Sequence, residues 1–184
     1  MTVGILGGTF DPPHLGHLEL AITALASGEV REVWFVPCLT HRFAKRPAPF
    51  EHRLAMCRLL VAEEAAMKVS DMETRLERPG YSLCLVRALR AEHPELTFRL
   101  LAGADIYHER DKWHRYDETA KLAPPLYIAR QGVEPIPEPT LKAPARICSS
   151  DLRDAFARGE RPDDVLQKEV LDYIEAHGLY KEDA

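Results

Sequence analysis

Two histidines three residues apart, His14 and His17, follow a short apolar run that ends in Gly7 and Gly8. Imidazoles at this spacing at the start of a helix share one face. Beside a helix N-terminus they can donate hydrogen bonds to phosphate oxygens and offset the charge that builds on a leaving phosphate. The two glycines let backbone N–H groups approach a phosphate without a Cβ in the way. This turn therefore predicts a polyphosphate site.

The spacing excludes two familiar phosphate loops and leaves two other interpretations open. The turn has neither the Gly-Lys-Ser/Thr ending of a Walker A loop nor the G-x-G-x-x-G spacing of a dinucleotide fingerprint. His14 and His17 could be a metal pair, although no nearby third ligand has the spacing of a zinc site. They could also be incidental residues at a helix start.

The segment from Gly8 to His17 resembles the signature of the nucleotidylyltransferase superfamily, Gly-x-Phe-(Asp/Asn)-Pro-x-His-x-Gly-His. The matching residues are Gly8, Phe10, Asp11, Pro12, His14, Gly16 and His17. The resemblance implies that the two histidines contact the triphosphate of ATP. It also implies a backbone cradle for ATP, formed by Gly7, Gly8, Thr9 and Phe10.

A second segment, residues 147–153, reads Ile-Cys-Ser-Ser-Asp-Leu-Arg. It resembles the Ile-Ser-Ser-Thr-x-Ile-Arg of the same superfamily, which contacts ATP at a helix start. Cys148 replaces a serine and is the one departure that loses a hydroxyl. The resemblance implies that Arg153 binds the triphosphate and that further ATP contacts come from Ile147, Ser149 and Ser150. The alternative is a plain serine cap with a solvated arginine.

The middle of the chain resembles bacterial nicotinate-nucleotide adenylyltransferases. Gly103 and Asp105 match that family's Gly-x-Asp strand end, where Asp105 can accept hydrogen bonds from ribose hydroxyls. Trp113 offers a flat face for a pyridine ring. Arg130 follows a segment similar to the family's next strand and is assigned to the acceptor side. Residues 170–180 resemble its closing helix, so the resemblance covers nearly the whole chain.

Two segments on the acceptor side depart from that family. A basic loop after the second strand, with candidate phosphate contacts at His41, Arg42 and Lys45, is shorter than the family's usual loop. Its Lys-Arg-Pro also resembles phosphopantetheine adenylyltransferase. The nicotinate family usually has Ser-Tyr-Thr before a helix, and this segment helps hold the nicotinate carboxylate, largely through backbone groups. This chain has Ser82, Leu83 and Cys84 instead.

Apolar runs typical of buried strands alternate with helical periodicity along the chain. Strands are predicted at residues 3–6, 33–36, 68–71, 97–102 and 126–129, and residues 131–144 are predicted to form a surface loop. Helices are predicted from residue 16, over 52–66, around 85–89, from 151 and around 166–174. This alternation predicts a Rossmann-like open parallel sheet with helices on both faces, in a single domain spanning residues 1–184. Ligands bind beyond the carboxyl ends of such strands.

The composition is that of an ordinary globular protein. The 184 residues are 46% hydrophobic and 29% charged, with a formal net charge of −5. An acidic average surface does not favour nucleic acid or anionic membranes, and no apolar run approaches a membrane span. The four cysteines are dispersed and the start does not resemble a signal peptide, so we expect reduced thiols in a cytoplasmic protein.

The resemblance of the two motifs and of the middle of the chain implies transfer of the adenylyl group of ATP to nicotinate mononucleotide. Mg²⁺ is expected as a cofactor, held mainly by ATP phosphates and water, with no protein metal site. Nicotinamide mononucleotide or phosphopantetheine stays open as the acceptor. A metal-dependent hydrolase using His14, His17, Asp11 and Asp105, or an ATP-binding module without catalysis, also stays open. A homo-oligomer is possible, because the sequence does not determine the oligomeric state.

Overall fold

The computed structural model describes residues 1–40, 47–129, 132–142 and 147–181. Within these ranges, six parallel strands form one sheet in the order β3-β2-β1-β4-β5-β6. The strands are β1 (Thr2–Gly8), β2 (Glu32–Pro37), β3 (Met67–Val69), β4 (Thr97–Gly103), β5 (Pro125–Ile128) and β6 (Thr140–Leu141). This is the strand order of a Rossmann-type sheet, so the predicted fold class is confirmed.

Helices connect the strands on both faces of the sheet. They are α1 (Leu15–Ala26), α2 (Phe50–Leu60), α3 (Ser82–Glu92), α4 (Ala104–Glu109), α5 (Tyr116–Leu122), α6 (Ser149–Ala157) and α7 (Lys168–Ala176). Short 3₁₀ helices lie at Met72–Arg75 and Arg110–Lys112. In the described part of the chain, no helix is long and apolar enough to cross a membrane.

Two apolar cores sandwich the sheet, because successive strand side chains point to opposite faces. On β2, Val33 and Phe35 join a core with α1, α2, α6 and α7. The intervening Trp34 and Val36 join the other core, with α3 and the end of α5. A strand buried on both faces needs the continuous apolar run that the sequence shows here.

Two predicted boundaries differ from the structure. The second helix ends at Leu60 rather than near residue 66, which keeps Glu63 and Glu64 out of a helix C-terminus, where acidic side chains are unfavourable. The predicted loop at residues 131–144 contains β6, which pairs with β5. Two residues are too few to show a strand period, so backbone pairing alone defines β6. The helices α4 and α5 were not predicted.

The point where the strand order reverses lies between β1 and β4. From β1 the chain proceeds outward through β2 and β3, whereas β4 starts the opposite half of the sheet. The carboxyl ends of these two neighbours are Gly8 and Gly103. In open α/β sheets, ligands bind in the crevice that opens at this position.

Candidate active site

The turn after β1 is anchored by Phe10. Its backbone has a φ of 51°, in the left-handed region that is rare for bulky residues. Its ring is 2% exposed and packs against Phe35, with ring centroids 5.6 Å apart. A Cβ on Gly8 would lie 3.1 Å from this ring. The cradle predicted from sequence is therefore held by a side chain buried in the core, while its backbone stays at the end of β1.

The two histidines lie side by side at the start of α1, as predicted. Their ring centroids are 3.8 Å apart, and the ring of His17 also contacts that of Phe10. The backbone N–H of His14 donates to Nδ1 of His17 at 3.2 Å. Because Nδ1 accepts this bond, the proton of a neutral His17 ring is on Nε2. His17 can therefore donate from Nε2 to a ligand oxygen.

Gly16 lets the two sequence motifs approach each other. A Cβ at this position would lie 3.1 Å from Nδ1 of His14 and 3.4 Å from Cβ of Ile147. His14 is 5% exposed, so its ring has little room to move away. The glycine between the histidines is thus required by close packing of the turn against the segment that precedes α6.

The second motif folds onto the first, 142 residues away in sequence. Nη1 of Arg153 donates to the backbone carbonyl of Asp11 at 2.7 Å and lies 3.7 Å from its carboxylate. The hydroxyl of Ser149 donates to the carbonyl of Pro12 at 3.0 Å. The side chain of Arg153 is 39% exposed, so it is not sealed off from solvent by these contacts. The predicted meeting of the two motifs is therefore present in the structure.

The remaining residues of the second motif differ in their contacts. Because Ser149 gives its proton to Pro12, it has only lone pairs left to offer a ligand. The hydroxyl of Ser150 and the thiol of Cys148 are 2.9 Å apart, and this hydrogen bond lowers the pKa of Cys148 below its ordinary value. Ile147 packs against the core beside Gly16. The roles of these residues toward ATP stay predictions.

Asp11 connects the turn to three other parts of the chain. Its carboxylate is 4% exposed, and Oδ1 accepts from the backbone N–H of Ala48 at 3.1 Å and from the hydroxyl of Tyr180 at 2.8 Å. Burial and the nearby Asp11 carboxylate raise the pKa of Tyr180 well above its ordinary value. With Arg153 on its other side, the carboxylate is fully engaged in holding the turn.

Arg53 of α2 lies beneath the turn and was not identified from the sequence. It is 1% exposed and donates to the carbonyls of Thr9 at 2.7 Å, Cys38 at 2.9 Å and Ala48 at 2.8 Å. A buried guanidinium with carbonyl partners fixes the loops that follow β1 and β2. The signal available was weak: an arginine on a helix otherwise predicted to bury its apolar face.

On the other side of the crevice, β4 ends at Gly103, and Asp105 lies in the first turn of α4. Because β4 neighbours β1, these residues face the same switch point as Gly7 and the turn. The structure thus places Asp105 at the edge of the sheet where strand ends form a ligand crevice, and its contact with ribose stays a prediction.

Two of the predicted acceptor residues, Ser82 and Leu83, lie at the start of α3. Ser82 begins this helix, and Leu83 is 2% exposed, so Leu83 can offer only backbone groups. Trp113 packs, partly buried, against the core to which α3 contributes. Tyr81 and His114, not singled out from sequence, join the two segments, with ring centroids 5.0 Å apart.

Five further residues were predicted on the acceptor side. Cys84 is half-buried in the first turn of α3. Four predicted residues lie outside the described ranges: His41, Arg42, Lys45 and Arg130. Among the described residues, no three His, Cys, Asp or Glu side chains gather to hold a metal ion.

A family model described as cytidylyltransferase-like matches residues 5–155. This range begins within β1 and ends within α6, so it includes both motifs and the crevice between them. The fold and the paired motifs at its switch point define a nucleotidyltransferase.

Two curated bacterial relatives match over nearly the full length of the chain. The "Probable nicotinate-nucleotide adenylyltransferase" of Anaeromyxobacter sp. (strain K) is 40% identical over 183 residues, covering 97% of this chain and 96% of the relative. The protein of the same name from Myxococcus xanthus is 37% identical over 180 residues, covering 97% and 94%. The chain therefore belongs to the cytidylyltransferase-like family, and within it to the nicotinate-nucleotide adenylyltransferases.

A solved structure has the same fold. The Plasmodium falciparum nicotinic acid mononucleotide adenylyltransferase complexed with NaAD superposes with a TM-score of 0.82 at 20% identity, covering 97% of both chains. At this identity the likeness concerns the fold.

Proposed function

We propose that the protein transfers the adenylyl group of ATP to nicotinate mononucleotide, giving nicotinate adenine dinucleotide and pyrophosphate. The observation that carries this proposal is the convergence of His17 and Arg153 on the turn after β1, at the switch point of the sheet. The names of the bacterial relatives support the choice of acceptor.

In the proposed reaction, the phosphate of the mononucleotide attacks the α-phosphorus of ATP in line. The bond to the bridging oxygen breaks, and pyrophosphate leaves with the electron pair. No protein nucleophile is needed, since the substrate phosphate already is one. Catalysis then comes from positioning and from stabilising charge on the phosphates.

The residues of the turn suit this task. His17 donates from Nε2 toward the phosphate chain, and Arg153 supplies a permanent positive charge beside it. His14 holds its neighbour in the correct tautomer through its backbone N–H. Gly7 presents backbone to the ligand, because a Cβ there would meet no atom of the described residues within 4 Å, apart from its two chain neighbours.

We infer that Mg²⁺ accompanies ATP and is bound chiefly by phosphate oxygens and water. The guanidinium of Arg153 and the Nε2–H of a neutral His17 are hydrogen-bond donors, which suit phosphate oxygens. The buried Asp11 carboxylate already accepts two hydrogen bonds and faces Arg153. Bound Mg²⁺ supplies neutralisation of phosphate charge.

The acceptor is proposed to lie between the start of α3 and Trp113. Backbone N–H groups at the start of α3 would face its carboxylate. The Ser-Tyr-Thr pattern of the family also fits two residues before Ser82, Leu83 and Cys84, as Gly80, Tyr81 and Ser82, which recovers the tyrosine and one hydroxyl. The edge contact of Tyr81 with His114 supports this register, because it joins the two sides of the proposed pocket.

We further infer that residues 1–184 act as a single nucleotidyltransferase domain, since the described elements share one sheet and two cores. A cytoplasmic location fits the biosynthetic role that is proposed. The role requires neither nucleic acid nor a membrane as a partner.

Pyrophosphate release by the purified protein with ATP and Mg²⁺ tests the proposal. Nicotinate mononucleotide, nicotinamide mononucleotide and phosphopantetheine are compared as acceptors. We expect pyrophosphate release with nicotinate mononucleotide, at a kcat/KM at least tenfold above that for either of the other two acceptors. Preference for another acceptor overturns the acceptor assignment, and hydrolysis of ATP without an acceptor would indicate a hydrolase. ATP binding without release under any condition would indicate a non-catalytic module.

A further inference from the structure

Glu73 is a buried carboxylate outside the turn that binds ATP in the proposed reaction. It lies in the 3₁₀ helix Met72–Arg75 and is 3% exposed. Its Oε2 accepts the backbone N–H of Gly80 at 2.7 Å and the backbone N–H of Leu39 at 3.3 Å. Burial raises the pKa of Glu73, while these two hydrogen bonds oppose the rise. One oxygen atom therefore joins two segments that are 41 residues apart in sequence.

The same two segments also touch directly. Gly80 has a φ of +79°, and a Cβ built on it would lie 2.8 Å from the backbone carbonyl oxygen of Thr40. Only a glycine fits both this conformation and this approach. The carboxylate and the glycine thus fix the same spacing between the chain leaving β2 and the chain entering α3.

Both segments belong to the proposed acceptor side of the crevice. Leu39 and Thr40 follow β2 and lead into the loop whose basic residues were predicted to contact phosphate. Gly80 leads into Tyr81 and Ser82, at the start of α3. The ATP-binding turn is held by other groups, chiefly Asp11 and Arg53.

We propose that Glu73 is a positioning residue for the acceptor mononucleotide, holding the segment after β2 at a fixed distance from the start of α3. This inference rests on the proposed function, since it assumes that the acceptor binds between these segments. Hydrogen bonds to a carboxylate are stronger than those between neutral groups, and removing the acceptor leaves two N–H groups without their partner. The ATP half of the site is expected to be unaffected.

Steady-state kinetics of Glu73→Ala, with each substrate varied in turn, test this proposal. We expect the KM for nicotinate mononucleotide to rise on the order of tenfold or more, because small displacements of a substrate cost this much. The KM for ATP should change less than twofold. Glu73→Gln should recover most of the loss, since its amide oxygen can accept the same two N–H groups. Glu77→Ala, an exposed carboxylate four residues further on, is the matched control and should behave as wild type.

Gly80→Ala provides a second route if Glu73→Ala does not fold. It should produce the same rise in the acceptor KM with the KM for ATP retained. Equal changes for both substrates, an unchanged acceptor KM, or no recovery by Glu73→Gln would each overturn the positioning role.

Direct binding of nicotinate mononucleotide, measured by calorimetry, separates this proposal from the proposed function. If the wild-type protein neither binds nor uses the mononucleotide, the proposed function and the role of Glu73 are both contradicted. If wild type and Glu73→Ala bind the mononucleotide equally well, only the role of Glu73 is contradicted.

Discussion

Nη1 of Arg153 donates a hydrogen bond to the backbone carbonyl of Asp11 at 2.7 Å, although the two residues are 142 positions apart in sequence. The carboxylate of Asp11, in turn, accepts the hydroxyl of Tyr180 near the end of the chain. The first motif, the second motif and the closing segment thus meet at one buried aspartate. The geometry of the turn after β1 therefore depends on distant parts of the chain.

His17→Ala should lower kcat by about 10²–10³, because the variant loses a preorganised donor toward the phosphates. Steady-state pyrophosphate release measures the effect, and circular dichroism checks that the fold is retained. His177→Ala removes an exposed imidazole at the end of α7 and should leave kcat within twofold of wild type. A kcat unchanged in His17→Ala would contradict the assigned role.

Arg153→Ala should raise the KM for ATP and lower kcat, for a combined loss of about 10² in kcat/KM. Arg153→Lys should lie between wild type and alanine, because the ammonium keeps the charge but lacks the planar fork that can hold a carbonyl and a phosphate together. Arg158→Ala, which removes an exposed arginine just after the same helix, is the control. Equal activity of Arg153→Ala and Arg158→Ala would contradict a role in ATP binding.

Gly7→Ala should weaken ATP binding while leaving the thermal stability of the protein unchanged. In the described part of the chain, the added Cβ would meet no atom within 4 Å beyond its chain neighbours, so it projects into the space proposed for the ligand. We expect the KM for ATP to rise about tenfold, since the backbone could no longer approach the phosphates closely. Thermal unfolding and initial-rate measurements distinguish this from misfolding, and an unchanged KM for ATP would place the ligand elsewhere.

Tyr180→Phe should lower the free energy of unfolding by about 1.5 kcal/mol near pH 8, because a hydrogen bond to the buried Asp11 carboxylate is lost. The pKa of Tyr180 is raised from its ordinary value of 10.0. Above about pH 10 the unfolded chain therefore binds fewer protons than the folded protein, so the stability of wild type falls as the pH rises. Because phenylalanine does not titrate, the free energy of unfolding of the variant lacks this pH dependence. The difference in free energy of unfolding between wild type and Tyr180→Phe should therefore narrow above about pH 10.

Urea unfolding at a series of pH values measures that difference. Tyr173→Phe is the matched control, since it removes a phenol whose partner is His52 rather than a carboxylate. The contact with Asp11 would be contradicted if the difference in free energy of unfolding between Tyr180→Phe and wild type stayed constant from pH 8 to pH 11.

The sequence by itself determined the fold class and the two motifs that the structure brings together. The alternation of apolar runs with helical periodicity is a local property, so it predicts the parallel sheet without knowledge of distant contacts. The motif around His14 and His17 is also local, because the two residues are three positions apart and their rings lie side by side at the start of one helix. The second motif was recognisable for the same reason, whereas the contact of its Arg153 with Asp11 was not predicted from the sequence.

Tertiary structure decided which side chains hold these motifs in place. Arg53, Glu73 and Tyr180 are polar residues that bind backbone or carboxylate groups remote in sequence. A charged residue in a sequence gives no indication of whether packing will bury it, since most such residues face water. Strand β6 was not predicted for a related reason, because its two residues are defined as a strand only by their pairing with β5.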